Sequence, residues 1–395
     1  MEQTRIRIGG VPTAADAWDD IVAPLTNRLV ARVPQCDSGH VSRACEVAEQ
    51  AWLSGPLQAE QRSGVLSRAA DLLSQRRQEF AQTITLESAK PVRQALAEVD
   101  VSVAALRHQA GARREEPALA PGARFHLTLP VGPVAILTTS AGPLMVTATR
   151  LAEAIAAGCP AIVKPSRKTP VSSIRLVDLL VESGLPPTWV SVVTGIGTGV
   201  GNDLARQQRV RMVAVSGDRR AVAEVTRQAL GKRVAADTGS VTVILEEGVH
   251  LDQVAAELAA RLGSDPTTGW GQIQRILVAR ATHADCLDML TRAAEALVVG
   301  DPTDPDVDVT GPVDIDRLHG LVVPYDHVAD AWTLANGLPR AETVAILTPD
   351  LTRAMSAVRR LEYPRVVVNT IPARPLTCAE LDSPMTGSRH VSIAS

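Results

Sequence analysis

A doubly wound α/β fold is predicted by three features of the sequence. First, short continuous apolar runs recur at 132–137 (GPVAIL), 161–164 (AIVK), 190–193 (VSVV), 210–215 (VRMVAV) and 241–245 (VTVIL). Second, helical patterns such as 143–157 and 171–183 lie between them. Third, the runs are apolar throughout instead of alternating, as parallel strands covered on both faces must be. Ligands of such folds sit beyond the carboxyl ends of the strands.

The elements follow in order. From about residue 41 to 101 the chain reads helical, with Leu66, Ala69, Leu73, Phe80 and Ile84 on one face and Arg68, Gln75, Arg76, Arg77 and Glu79 on the other. The stretch 116–122 (EPALAPG) is a break between units. The parallel strands follow. A second unit starts near Val241, with a helix facing inward through Leu251, Val254, Ala255, Leu258 and Leu262. The runs 275–278 and 365–368 point to a second sheet, and 300–308 (GDPTDPDVD) is a surface loop. No internal repeat or low-complexity tail is present.

Composition narrows the function. The 395 residues are 45% apolar, enough for one large or two ordinary domains with a buried core. With 40 basic against 43 acidic residues and 2% aromatics, neither a nucleic-acid partner nor a base-stacking surface is expected. No apolar run is long enough to span a membrane, and the first ten residues (MEQTRIRIGG) lack the apolar core of a signal peptide. The expectation is a cytoplasmic protein. Cys36, Cys45, Cys159, Cys286 and Cys378 are scattered, with no zinc-binding pair, and read as reduced core thiols.

The stretch 129–195 resembles the cofactor half of the aldehyde dehydrogenase superfamily. The matching pieces are 130–136 (PVGPVAI), 151–158 (LAEAIAAG), 163–166 (VKPS), Thr169-Pro170 and 184–187 (GLPP). Further landmarks fall in family order: 85–91 (TLESAKP), with Ala89 for a glycine, then 299–302 (VGDP), Gly311-Pro312, 335–338 (ANGL) and Val368-Asn369. The resemblance implies a Rossmann-like cofactor domain (1–122 with 131–239) and an abbreviated α/β catalytic domain (240–370). It also implies a β-strand oligomerisation extension (123–130 and 386–395) that adds strands to a neighbouring subunit, so a homo-oligomer, most simply a dimer, is expected.

The family's chemistry uses a cysteine thiolate, a general base and a nicotinamide dinucleotide. Here the departures begin. No cysteine occurs between Cys159 and Cys286, and Gln274 stands at the nucleophile's count. Asp237, in Asp237-Thr238-Gly239-Ser240, takes the place of the glutamate base. It either moves a proton or ties down its turn. Ala141 replaces the oxyanion asparagine in Thr139-Ser140-Ala141-Gly142-Pro143.

The cofactor grip is altered too. Lys164 and Ser166 remain from the ribose-binding motif, but Arg167 replaces its glutamate, a change compatible with a 2′-phosphate. Gly217 remains at the next strand end, followed by Asp218, which suits a helix cap and repels a pyrophosphate. Val222 stands where the family has a second glycine. The segment holding the nicotinamide ribose is missing between Gly311-Pro312 and Val323.

The expectation is therefore a family member without NAD(P)-dependent aldehyde oxidation, turned to non-redox chemistry (cyclisation, dehydration or elimination) on a small carbonyl-bearing metabolite. Candidate catalytic residues are Asp237, Gln272 and Ser140, with Thr267, Thr268 and Asn369 as further polar groups. Lys164, Ser166, Arg167 and Gly217 are a vestigial cofactor set. No cofactor is expected, or NADP weakly, and no metal. Two alternatives stay open: a catalytically dead scaffold or regulatory partner, and a residual NADP-dependent aldehyde oxidoreductase.

Overall fold

The computed structural model describes residues 4–111, 130–262, 273–338, 342–371 and 390–393. The chain forms two units: Met1–Ser88 with Leu96–Val215 and Ala223–Ala235, and Ala89–Ala95 with Ser216–Val222 and Ala236–Ser395. Asp237, grouped with the cofactor region by sequence, lies in the second unit.

The first unit opens with strands the sequence reading did not identify. β1 (Ile6–Ile8) pairs with β2 (Val11–Thr13), and β3 (Trp18–Val22) with β4 (Leu29–Pro34), both antiparallel. These strands are too short to show a period of two. Gly9-Gly10, at φ 60° and 82°, is nonetheless a two-residue hairpin signal. Helices α1 (Ser38–Leu53), α2 (Ala59–Gln75), α3 (Arg77–Ser88) and α4 (Val92–Gly111) follow. Leu66, Ala69, Leu73, Phe80 and Ile84 are buried, as their spacing requires. Asp37 caps α1 by accepting the His40 amide at 2.9 Å.

The sheet of this unit comprises β5 (Val134–Leu137), β6 (Ala161–Lys164), β7 (Val190–Val192), β8 (Met212–Ser216) and β9 (Arg233–Asp237), in the order β7-β6-β5-β8-β9. β5 runs parallel to β6 and β8, so the strand order reverses between β5 and β8. Between the strands run α5 (Pro143–Ala157), α6 (Val171–Glu182), α7 (Asn202–Arg206) and α8 (Arg219–Gln228).

Two buried glutamates fix the helix starts. Glu87 accepts the Val171 and Ser172 amides of α6 at 2.7 and 3.1 Å. Glu98 accepts the Leu144 and Met145 amides of α5 at 2.9 and 3.1 Å. Each supplies an acceptor to amides that no turn of the helix can satisfy. Burial raises the Glu87 carboxyl to about 7, against the opposing pull of Ser172 and Val171. Ala89, in the family's glycine position, keeps a left-handed backbone at φ 58°.

The second unit is a six-stranded parallel sheet. Its strands are β10 (Val241–Leu245), β11 (Ile273–Ala279), β12 (Val322–Tyr325), β13 (Thr343–Leu347), β14 (Arg365–Val368) and β15 (His390–Ile393), in the order β12-β11-β10-β13-β14-β15. Helices α9 (Leu251–Leu262), α10 (His283–Glu295), α11 (Ile315–Leu321), α12 (Val328–Gly337) and α13 (Leu351–Arg360) complete it. Alternate strand residues feed two cores. Val243, Leu245, Ile276 and Val278 pack with Leu258 and Leu290, while Ile244, Leu277, Val344 and Ile346 pack with Trp332, Ala354 and Val358.

Of the expected extension, His390–Ile393 pairs in parallel with β14 of the same chain. Residues 123–129, 386–389 and 394–395 lie outside the described residues. Among the described residues no helix is long and apolar enough to cross a membrane.

Candidate functional site

The amino-terminal edge of the second sheet holds two carboxylates. Asp237 ends β9, and the turn Thr238-Gly239-Ser240 carries the chain into β10; Gly239 adopts φ 64°, which a glycine takes without strain. The Asp237 Oδ1 accepts the Gly239 amide at 2.8 Å. The Asp237 carbonyl accepts the Gly217 amide at 3.0 Å, so these two expected residues are brought together.

β13 is the in-register neighbour of β10, with Thr343 opposite Val241 and its amide on the Ser240 carbonyl at 3.3 Å. That register sets Glu342 beside the turn, where its Oε1 accepts the Thr238 amide at 2.7 Å. The hydroxyls of Thr238 and Ser240 join at 2.7 Å. Burial, then the Asp237 charge, raise the Glu342 carboxyl from 4.5 to about 8. Its Oε2 is buried and has no hydrogen-bond partner among the described residues.

Sequence reasoning missed Glu342. A lone charged residue ahead of an apolar run (TVAIL) normally marks a solvated strand start, and only the register of β13 on β10 brings it to the turn. Asp237 was expected to face an open crevice. It is instead 0% exposed, because the turn folds back onto its carboxylate.

The other expected residues are placed as follows. Gln272, with Thr267 and Thr268, lies outside the described residues. Ser140 is half-buried in the loop between β5 and α5. Lys164, at the end of β6, is buried, with its Nζ donating to the Pro165 carbonyl at 2.8 Å, and desolvation lowers it to about 8. The Ser166 hydroxyl accepts the Lys168 amide at 3.3 Å. Arg167 is half-exposed and already engaged. It clamps Asp19 of β3 through Nε at 3.1 Å and Nη2 at 2.7 Å. Its hydrogen bonds hold the Asp19 carboxyl below the usual carboxylate range.

Gly217 gives no close approach, since a Cβ there would meet Ala221 Cβ at an ordinary 3.5 Å. Asp218 caps α8, its Oδ1 accepting the Ala221 amide at 2.8 Å. Asn369 follows β14 at the carboxyl edge of the second sheet, opposite to the Asp237 edge, and its Oδ1 accepts the Thr348 amide at 2.9 Å. It therefore does not join the Asp237 group.

Cys36, Cys45, Cys159 and Cys286 are all buried free thiols. Burial raises Cys36, and takes Cys45 to about 12 and Cys286 to about 11. Thiols in that state are poor nucleophiles. No group of three or more His, Cys, Asp or Glu among the described residues could hold a metal ion.

Two units built on parallel sheets in these strand orders define an α/β protein with two parallel-sheet domains. The aldehyde dehydrogenase family model matches residues 13–319, and the chain belongs to that family. It is 30% identical over 312 residues to a 3-sulfolactaldehyde dehydrogenase of Priestia aryabhattai, covering 74% of this chain and 64% of that one. It is also 30% identical over 326 residues to the NADP/NAD-dependent aldehyde dehydrogenase PuuC of Escherichia coli (strain K12), covering 77% and 64%. The chain thus matches a little under two thirds of the length of these relatives. A crystal structure of indole-3-acetaldehyde dehydrogenase in its apo form superimposes with a TM-score of 0.82 at 29% identity, covering 95% of this chain and 90% of that one.

Proposed function

We propose that this aldehyde dehydrogenase family chain performs acid–base chemistry on a small carbonyl-bearing molecule in place of thiol-dependent aldehyde oxidation. The carrying observation is the carboxylate pair: Asp237 at the family's base position, with Glu342 close enough for the Asp237 charge to raise it. Burial and the Asp237 charge both favour the protonated form of Glu342, so the pair sets a proton donor beside a second carboxyl, the arrangement proton transfer needs. The buried, high-pKa thiols among the described residues support the same reading.

Dinucleotide binding is inferred to be weak. The Asp218 carboxylate already holds an amide of the first turn of α8, where it competes with a pyrophosphate and repels it. Arg167 is bound to Asp19, so a 2′-phosphate would have to compete with that ion pair, and NADP remains the dinucleotide a weak site would favour. These residues do not fit a dinucleotide, and no step is routed through one. Calorimetry with NAD and with NADP tests this: weak or no heat is expected from either, and tight binding of either one rejects it. Asp218→Ser with Val222→Gly should raise the affinity.

A second reading rests on the complete burial of Asp237, whose Oδ1 satisfies the Gly239 amide. In it the carboxylate only ties the turn and the chain is a scaffold. Asp237→Asn separates the two, since the scaffold loses stability and the enzyme loses turnover. A homodimer remains part of the proposal. Its support is that β12 and β15 end the second sheet with one side of each unpaired among the described strands. A monomer by light scattering at micromolar concentration rejects it.

A further inference from the structure

We propose that the first unit carries a second binding site, independent of the acid–base reading above, for a small hydroxylated anion. A cavity of about 290 Å³ opens between the start of α1 and the turn that leads from α7 to β8, lined by Ser38, Asp203, Arg206, Gln207, Gln208 and Arg209. That volume lies at the small end of ligand sites, which run from roughly 300 to 1,000 Å³. Most such sites are apolar, whereas every residue lining this one is polar or charged. Lys232 fixes the turn, its Nζ donating to the Gln207 carbonyl at 2.7 Å and to the Ala205 carbonyl. Each guanidinium is oriented through a single nitrogen. Arg209 Nε donates to Glu49 Oε2 at 2.8 Å, and Arg206 Nε to Gln228 Oε1 at 2.7 Å. The terminal nitrogens of both make no hydrogen bond among the described residues, Arg206 Nη1 lying 3.8 Å from Asp203 Oδ1.

These groups state what the ligand must carry. A guanidinium only donates, so the ligand presents an acceptor, and the fork of terminal nitrogens fits the oxygens of a carboxylate or a phosphate. An ionised aspartate only accepts, so beside Asp203 the ligand presents a hydroxyl. The Ser38 hydroxyl and the side-chain amides of Gln207 and Gln208 can meet either kind of group. Two arginines against one aspartate leave the lining with a single net positive charge, which one acid group balances. Lys232 and Glu49, which touch these residues without lining the cavity, offset each other. Asp37, the cap of α1, does not line it either and is engaged by His40 Nδ1 at 2.7 Å. A small hydroxy acid, or the phosphate ester of a small polyol, has the required pattern of one anionic end and one hydroxylated end.

Calorimetry on the full-length chain in low-salt, phosphate-free buffer tests the site, with glycerol 3-phosphate and glycerate as probes and glycerol as the neutral control. At least one of the two anions should bind saturably and glycerol should not; a response to only one of them names the acid group. The probe that binds should do so more tightly than its parent anion, inorganic phosphate or acetate, and Asp203→Ala should remove that preference. Arg206→Gln and Arg209→Gln should each weaken the binding at least about tenfold, the size of one charge-assisted hydrogen bond. Gln208 is exposed. Gln208→Glu should weaken binding as much, and it leaves the Arg209–Glu49 contact intact should Arg209→Gln disturb the fold. Arg292→Gln, an exposed change in α10 of the second unit, should leave it unaltered. No binding of either anion, binding indifferent to Gln208→Glu and to both arginine variants, or equal weakening by Arg292→Gln overturns the site. A parent anion bound as tightly as its hydroxylated probe overturns the role of Asp203. None of these results bears on the carboxylate pair, which is judged by turnover.

Discussion

Asp237 and Glu342 bind consecutive amides of one turn, the first through Gly239 at 2.8 Å and the second through Thr238 at 2.7 Å. They arrive from different parts of the chain, one at the end of β9 and the other just ahead of β13. Their closeness follows from the parallel register of β13 on β10.

The pair should leave a signature in the pH dependence of stability. Glu342 rises from 4.5 to about 8 on folding, chiefly through burial. Between those values the folded chain holds a proton that the unfolded chain releases. This group's contribution is therefore fully present below about pH 4.5 and is lost as pH rises toward 8. Glu87, raised to about 7, acts with the same sign over a narrower window. Urea unfolding from pH 5 to 9 should show a downward slope that Glu342→Gln flattens, and an unchanged slope in that variant would count against the raised value.

Ala89 holds φ 58° where an alanine is strained. Ala89→Gly should raise stability by about 1 kcal/mol, since a left-handed residue with a Cβ costs about that much. Denaturant midpoints for the two proteins check it. A destabilised glycine variant would show that the Cβ contributes more through packing than the backbone loses.

Thiol chemistry should be slow throughout the described residues. With Cys286 raised from 9.0 to about 11, its thiolate fraction at neutral pH falls about 100-fold even before steric protection. Iodoacetamide followed by peptide mass spectrometry should leave Cys36, Cys45, Cys159 and Cys286 unlabelled until the chain unfolds. Rapid native labelling of any of the four would restore a thiol mechanism.

β5 to β8 of the first sheet were legible because both faces are covered and the runs are nearly continuous in apolar residues, as in AIVK of β6, whereas β9 (RVAAD) was not, being charged at both ends and only partly covered. The helical face through Leu66, Leu73 and Phe80 was legible from its spacing. β1 to β4 were not, being short hairpins. β13 was not, because its five residues follow a charged residue instead of a turn signal. Asp237 stood out through its family position, and Asp218 through its helix-cap chemistry. Glu342 is silent in sequence because its role depends on a long-range strand register. The Arg167–Asp19 clamp was hidden for the same reason, joining residues 148 positions apart.

Deuterium incorporation measured beside reduced-cofactor formation is the most direct test of the central claim. A panel of short aldehydes and hydroxy ketones is incubated with the purified chain in heavy water, with NAD or NADP present, and followed by proton NMR and by absorbance of the reduced cofactor. The account predicts deuterium exchange or non-redox conversion of at least one compound, abolished in Asp237→Asn and Glu342→Gln, with no reduced cofactor formed. Reduced cofactor accumulating with the wild type, or no exchange or conversion of any compound, would contradict it.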